Sequence, residues 1–461
     1  MRVATNTIYN SGSQGISRLM AQQSRLQNQL ATGRRVLSPS DDPIASSRAL
    51  QITQAQSINT QYSTNSDSAD TSLAMTEKTL NQLVTLIQNV QQLAIAAGNP
   101  TQTADQKKML DSELQGRYQE LLALANATDG NGEYLFSGFR GDTKPFTEAG
   151  FGNVTYNGDD GQRGIQISAS RTIPVSEAGS KLFQRVPTGN GSFTSAANMA
   201  NTGTGIISTG EVLDPSKWAN AANVQDFRIE FNSIPDPQNP TGDPITNYDI
   251  IDSRATLPDG STNPNYNMSM IDGYDYNGGA RPSVAGVNSY PRTYKTGADI
   301  EFKQLAGEAT PLVANWDFGV KVSVSGAPKT GDTFTLAASK NTNLFGVLAD
   351  FSSALNSYNT AGDGKGQADF QNQLNSVIKN LSNSLDTVLA TQASIGARML
   401  ETDSVRSTNE DINLQYTATL SKLQDLDWPK ALSDFAQNQM LLDAARGSFS
   451  KVQNLSLFQY I

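Results

Sequence analysis

The stretch that decides the fold lies near the amino terminus and reads ISRLMAQQSRLQNQLATGRRVLSPSDDP over residues 16–43. Its first half repeats an apolar residue every three or four positions, as the seam of a coiled coil does. The seam positions, one of them polar, are Ile16, Leu19, Gln23, Leu26 and Leu30. This spacing predicts an amphipathic helix that needs a partner helix.

The first predicted helix ends, and a second one begins, in the segment SPSDDP, residues 38–43. Proline lacks a backbone N–H and stops a helix, whereas aspartate followed by proline is a typical helix start. Asp42 is therefore predicted to cap a second helix that runs to about Ala97, roughly 80 Å at the usual rise per residue. A third helix is predicted over about 104–127. The predicted hinge and cap residues are Ser38, Pro39, Asp41, Asp42, Pro43 and Pro429.

The carboxy-terminal limb mirrors this pattern. Apolar residues follow helical spacing from Phe370 to Leu423, and Pro429 then interrupts them. Beyond it, apolar residues fall seven apart at Phe435, Leu442 and Phe449.

Long amphipathic helices cannot bury their apolar stripe against themselves. We expect 43–127 and 367–426 to form a bundle within the chain, and 1–37 with 430–461 to bury their apolar faces between subunits. For 1–37 with 430–461, an ordinary intramolecular bundle is the alternative; for 43–127 with 367–426, the alternative is burial between subunits. Free ends are then expected to fray in the monomer and to fold on assembly. The predicted assembly surface comprises Ile16, Leu19, Leu26, Leu30, Leu432, Phe435, Leu442, Phe449, Val452, Leu455 and Phe458.

The middle of the chain has a different pattern. Glu133–Phe139 and Val154–Ile167 alternate apolar and polar residues around a turn cluster at 157–161, which predicts a β-hairpin. Short strand-like runs between glycine- and proline-rich turns predict an inserted β domain over 184–344. These runs are Phe227–Phe231, Asn247–Ile251, Asp299–Phe302, Gly319–Val324 and Thr333–Leu336.

The predicted fold class is therefore α+β and multidomain: mainly α terminal limbs, forming a long helical bundle or coiled coil, around a β-rich insert. We predict three domains. They are an inner layer of 1–37 with 430–461, a helical rod with the hairpin of 38–183 with 345–429, and a variable β-rich outer domain of 184–344.

Composition excludes most chemistry. The 461 residues include no cysteine and no histidine, which removes thiol catalysis, disulfides, Cys/His zinc sites and histidine-dependent triads. The net charge of −10 argues against nucleic acid as a partner. The paired carboxylates Asp41/Asp42 and Asp159/Asp160 fall in caps or turns, where aspartate serves the backbone. We therefore predict no enzyme activity, no cofactor and no metal. No apolar run is long enough for a membrane span and no signal peptide is evident, so a chain that leaves the cell is expected to do so without a cleaved signal.

Four motifs resemble the flagellin superfamily. LQNQLATGRRVLSPSDDPIA at 26–45 is similar to its amino-terminal signature. SFSKVQNLSLFQYI at 448–461 resembles more narrowly the end of its hook-associated protein 3 family, the junction proteins between flagellar hook and filament. YLFSGF at 134–139 and YNGDDGQ at 156–162 are similar to the hairpin region of that family.

This resemblance implies a location and partners. The terminal helices would pair as an inner layer, the next helices with the hairpin would form a rod, and the insert would face outward. The chain would leave the cell unfolded through the flagellar type III export apparatus with a cytoplasmic chaperone. Outside the cell it would join further copies of itself, hook-associated protein 1 and flagellin. A flagellin filament subunit, with an adhesive or antigenic middle domain, is the alternative.

Overall fold

The structure, a computed structural model, describes residues 5–130, 132–220, 225–239, 241–257, 259–279, 281, 287–308, 311–359 and 364–454. Long helices occupy both ends of the chain and a β-rich region lies between them, which confirms the predicted fold class. The helices are α1 (Thr5–Thr32), α2 (Pro43–Ala97), α3 (Ala104–Ala125), α4 (Pro215–Trp218), α5 (Leu344–Ser357), α6 (Lys365–Gln424) and α7 (Trp428–Asn454).

Most helix boundaries follow the sequence signals. α2 starts at Pro43 and ends at Ala97, as predicted, and α3 ends within two residues of its predicted end. α5 is not among the predicted helices. Its buried residues Leu344, Leu348, Phe351 and Leu355 recur every three or four positions, so the helical pattern is present in the sequence and was overlooked beside the strand-like segments before it. The Asn343 side chain accepts a hydrogen bond from the Gly346 backbone N–H and caps this helix.

The strands are short. They are β1 (Phe146–Gly150), β2 (Asn153–Tyr156), β3 (Gly164–Ser168), β4 (Arg171–Pro174), β5 (Val186–Pro187), β6 (Phe193–Ala197), β7 (Ile206–Ile207), β8 (Glu211–Val212), β9 (Phe227–Ile234), β10 (Ile245–Asp252), β11 (Arg292–Thr293), β12 (Asp299–Lys303), β13 (Asp317–Ser325), β14 (Thr333–Ala338) and β15 (Asn341–Thr342). Every strand-like run predicted within 184–344 lies in one of them.

The predicted hairpin is wrong in detail. The segment forms two hairpins, β1–β2 and β3–β4, and the turn cluster at 157–161 connects them. Residues 133–139 form turns with isolated bridges instead of a strand. Here a side chain takes the place of hydrogen bonds between two strands. The Asp159 carboxylate accepts hydrogen bonds from the backbone N–H groups of Phe139 (2.9 Å) and Gly161 (2.8 Å).

The β-rich region contains a five-stranded antiparallel sheet and a four-stranded one. The first has the strand order β11-β10-β9-β14-β6; the second has the order β12-β13-β7, with β8 also pairing β13. They share one apolar core, in which the Phe227 ring lies 5.0 Å from that of Phe302 and 4.8 Å from that of Phe318.

The internal contacts of the chain group into two units. Unit 1 comprises Met1–Asp70, Ile165–Ile173 and Glu401–Ile461, and unit 2 comprises Thr71–Gly164 and Pro174–Leu400. Unit 1 contains α1, α7, the first half of α2 and the last part of α6. Unit 2 contains α3, α5 and the β-rich region. The predicted division into three domains stays a prediction.

Candidate assembly site

The first and last helices of the chain, α1 and α7, pair antiparallel within unit 1. The Tyr9 and Phe449 rings lie 5.2 Å apart at one end of the pair. Near its middle, the Asn438 side-chain amide donates hydrogen bonds to the Leu19 carbonyl (3.1 Å) and to Gln23 Oε1 (2.9 Å). Gln23 is the polar seam position, so the amide pair fixes the register of the two helices.

A glycine permits the close approach at the Tyr9 end. A Cβ placed on Gly12 would lie 2.8 Å from Phe449 Cδ2, closer than real Cβ contacts, whereas a Cβ on Gly15 would meet nothing within 4 Å. The phenylalanine ring therefore packs onto bare backbone at Gly12.

The residues of the predicted assembly surface have unequal burial in this pair. Leu26 and Leu442 are buried, and Leu432 is 54% exposed. Ile16, Leu19, Leu30, Phe435 and Phe449 are half-buried. The side chain of Val452, and all of Leu455 and Phe458, lie outside the described residues.

The breaks at the inner ends of α1 and α7 pair with each other. The Arg35 backbone N–H donates to the Gln424 carbonyl (2.7 Å), and the Leu426 N–H donates to the Gly33 carbonyl (2.9 Å). Gly33 has φ +66°, a left-handed conformation that suits glycine and ends α1. The Arg35 guanidinium adds a hydrogen bond to the Leu423 carbonyl (2.8 Å). The segment after α1 and the segment before α7 are therefore held together by a short antiparallel pair of backbone hydrogen bonds.

Two aspartates order the break after α1. Asp41 Oδ2 accepts hydrogen bonds from the backbone N–H groups of Ser38 (2.9 Å) and Leu37 (3.0 Å), and these bonds hold the pKa of Asp41 below its usual value. Asp42 Oδ1 accepts from the Ala45 N–H (3.0 Å) at the start of α2, while Arg35 binds Oδ2 (3.1 Å). The Ala45 bond, followed by the Arg35 bond, likewise lowers the pKa of Asp42.

The remaining hinge residues surround these caps. The Ser38 hydroxyl lies 2.7 Å from that of Ser40, and Pro39 and Pro43 are exposed. On the other linker, Asp427 Oδ1 accepts a hydrogen bond from the Lys430 N–H (3.1 Å), so Pro429 occupies the second position of α7. Proline is tolerated there because the first N–H groups of a helix have no partner within it.

Sequence reasoning missed the polar contacts that hold the site together. Gln29 is buried and its amide donates to the Arg35 carbonyl (2.6 Å), and Asn438 makes the cross-helix contact described above. Both lie at helical spacing from seam residues. An amide on an apolar stripe is therefore the signal that could have found them.

The remaining candidate chemistry is structural. The pKa of Asp159 is held below its usual value by the two backbone N–H groups that it accepts, and Asp160 binds Arg185 (2.5 Å). Within the described residues, no group of three or more acidic side chains is placed to hold a metal ion. None of the described helices combines the length and hydropathy needed to cross a membrane.

Comparison with known proteins agrees with this architecture. Residues 3–140 match the family model of the bacterial flagellin N-terminal helical region. The flagellar hook-associated protein 3 of Salmonella typhimurium is 29% identical over 317 residues, covering 66% of this chain and 98% of that protein. That of Escherichia coli is 26% identical over 459 residues, covering 100% of this chain and 99% of that protein. The crystal structure of flagellar hook-associated protein-3 from Legionella pneumophila superposes with a TM-score of 0.65 at 25% identity, covering 81% of this chain and 98% of that one.

With paired terminal helices, a capped break and a β-rich insert, the chain resembles flagellin-type proteins, whose N-terminal helical region it matches. More narrowly, the chain is similar to the flagellar hook-associated protein 3 of three bacteria, and it covers nearly the whole length of each of these proteins.

Proposed function

We propose that this chain is a structural subunit of the bacterial flagellum that joins the hook to the filament and polymerises through α1 and α7. One observation carries this proposal: the α1–α7 pair leaves apolar side chains exposed on α7. Met440 is 72% exposed, Leu441 51% and Leu432 54%. A paired helix that still exposes large apolar residues has a second face to bury.

The position of Met440 indicates how that face is used. Met440 lies two residues from Asn438 and Leu442, which are buried in the pair, so its side chain projects from the opposite side of α7. Ala436 and Ala444 lie one turn before and after it, and both are exposed. An apolar residue between two alanines lets a helix of a neighbouring subunit approach closely. In this proposal Leu26 and Leu442 hold the pair within a subunit, and Leu432 and Met440 contact the next subunit.

The junction role sets the partners. Copies of the chain form one layer, with hook-associated protein 1 on the hook side and flagellin on the filament side. The chain reaches this extracellular position through the type III export apparatus, with a cytoplasmic chaperone bound before export. The domain 184–344 faces outward. A filament-subunit role is less supported, because the relatives that match the chain from end to end are hook-associated proteins.

The role is structural and not enzymatic. Without cysteine or histidine, the chain lacks the thiol nucleophile and the imidazole general base on which many enzymes depend. The carboxylates at the assembly site are occupied by backbone N–H groups and arginines.

The test is deletion of the gene followed by electron microscopy and assay of the culture medium. We expect hooks without filaments and flagellin released into the medium; intact filaments would refute the proposal. Complementation with Met440→Glu is then expected to fail while the variant is still exported. Leu305→Glu changes an exposed leucine of the β-rich region and serves as the matched control that restores filaments.

A further inference from the structure

A cavity of about 610 Å³ lies within the β-rich region of unit 2. It is bounded by α4, by the loop that precedes β13, and by the segment that follows β10. Its volume falls in the range of small-molecule sites, about 300–1,000 Å³.

The floor of this cavity is aromatic and apolar. Trp316 and Phe318 are each 4% exposed, and Met270 is 1% exposed. The indole N–H of Trp316 is buried and has no hydrogen-bond partner in the described part of the chain. A buried donor without an acceptor is unfavourable, and a ligand oxygen within reach of this N–H would satisfy it.

Two amides lie on the walls. The side chains of Asn265 and Asn315 line the cavity, and neither makes a hydrogen bond to the described residues. Asn315 has φ +55°, one of two non-glycine residues among those described with a positive φ. Backbone strain of this kind is often retained at functional positions. The two amides provide both donors and acceptors.

The charged groups that line the cavity already have partners within the chain. Lys217 Nζ lies 2.6 Å from Asp317 Oδ2 at the rim. The Asp252 carboxylate, fully buried, accepts hydrogen bonds from the Arg254 N–H (2.9 Å) and the Asn263 amide (2.9 Å), and burial raises its pKa. The cavity therefore offers no free cation to an anion.

We propose that this cavity binds a neutral sugar ring of a glycan. A sugar ring has an apolar C–H face, which fits the aromatic floor, and hydroxyl groups that both donate and accept hydrogen bonds, which fit the two amides and the indole N–H. A phosphate would find no free cation, and an apolar ligand would bury the unpaired indole N–H and amides. The outer domain then has a recognition role that is independent of the junction role.

The test uses the full chain in isothermal titration calorimetry with three neutral probes, maltose, lactose and diacetylchitobiose, and one acidic probe, digalacturonate. We expect saturable binding of at least one neutral probe and weaker or no binding of digalacturonate. The variant Asn265→Ala/Asn315→Gly removes both amides, and glycine tolerates the positive φ at 315. This variant is expected to weaken binding at least about tenfold.

Two further variants keep the test decisive. Trp316→Phe keeps an aromatic floor but deletes the N–H donor, and it too is expected to weaken binding. Asn153→Ala changes an exposed asparagine of the β1–β2 hairpin and is expected to leave binding unchanged. The proposal is overturned if no neutral probe binds, if digalacturonate binds more tightly than the neutral probes, or if binding survives both cavity variants.

Discussion

Unit 1 and unit 2 bury different kinds of side chain. In unit 2 the described core is rich in large apolar residues, among them Phe227, Phe302 and Phe334, all fully buried. In the described part of unit 1, the buried large apolar residues are Leu26, Ile167, Ile173 and Leu442. The other buried positions of unit 1 hold alanines or polar side chains.

Amides replace apolar contacts along the α2–α6 pair of unit 1. The Asn59 amide donates to the Asn409 carbonyl (2.6 Å), and the Asn409 amide donates to the Ile167 carbonyl (3.1 Å). Each such bond contributes about 1 kcal/mol net, whereas burying one large apolar side chain contributes about 1.5–3 kcal/mol. Unit 1 is thus specified by polar pairing but is weakly stabilised, which agrees with our proposal that it completes its burial on assembly.

Hydrogen exchange is expected to show the largest difference between the units. Amides of α1 and α7 in the free monomer are expected to be at least about 1,000-fold less protected than those of α5 and β9, an opening free energy about 4 kcal/mol lower. Mass spectrometry of the monomer measures this by peptide. Strong protection of α1 and α7 would contradict the weaker stabilisation that we infer for unit 1. It would also contradict the expectation that these helices fold fully only on assembly.

A core truncation is expected to have the next largest effect. Phe227→Ala leaves a cavity between Phe302 and Phe318 and is expected to destabilise unit 2 by about 3–5 kcal/mol. Tryptophan emission during urea unfolding, in a Trp428→Phe background, reports unit 2 alone, since Trp218 and Trp316 both lie there.

The matched truncation in unit 1 is Leu442→Ala. Because few large apolar residues are buried in the described part of unit 1, we expect a cost below about 2 kcal/mol in the monomer. Equal costs for the two truncations would show that the two units are equally well packed, and would contradict the weaker packing that we infer for unit 1.

A buried lysine makes unit 2 sensitive to pH. The Lys107 side chain is fully buried; its ammonium group donates to the Ala97 carbonyl and lies 4.3 Å from the Tyr358 ring centroid and 3.8 Å from that of Phe370. Desolvation lowers the pKa of Lys107 from 10.5 to about 8. The unfolded chain therefore binds more protons than the folded chain between these values, so Lys107 makes stability rise with pH across that window.

Lys107→Met is expected to abolish this rise. The free energy of unfolding in urea, measured at several pH values from 7.5 to 9.5, gives the slope for wild type and variant. The neighbouring Lys108 is exposed, so Lys108→Met should keep the wild-type slope. An unchanged slope in Lys107→Met would mean that the lysine keeps its ordinary pKa in the folded chain.

The sequence predicted those features whose signal is local. Pro43 after Asp42 marks the start of α2, and the alternation in Phe227–Phe231 marks β9. It could not predict features that depend on contacts distant in the chain. The hydrogen bond from Arg35 to Gln424 joins residues far apart in sequence, and Asp159 holds Phe139 by a side-chain bond that no strand pattern encodes. The cavity whose floor includes Trp316 likewise forms only when segments from separate parts of the chain meet.

The smallest expected effect is a difference in stability between alanine substitutions at two glycines of α1. Gly15→Ala should stabilise the helix by about 1 kcal/mol, because alanine loses less backbone entropy and its Cβ meets no neighbour. Gly12→Ala gains the same helix propensity, but its Cβ displaces Phe449, so its net gain should be smaller by about 1 kcal/mol or vanish. Exchange rates of α1 amides in the two variants measure the difference. Equal gains would mean that Phe449 does not contact Gly12 in the free monomer, and that the α1–α7 pair forms in this register only on assembly.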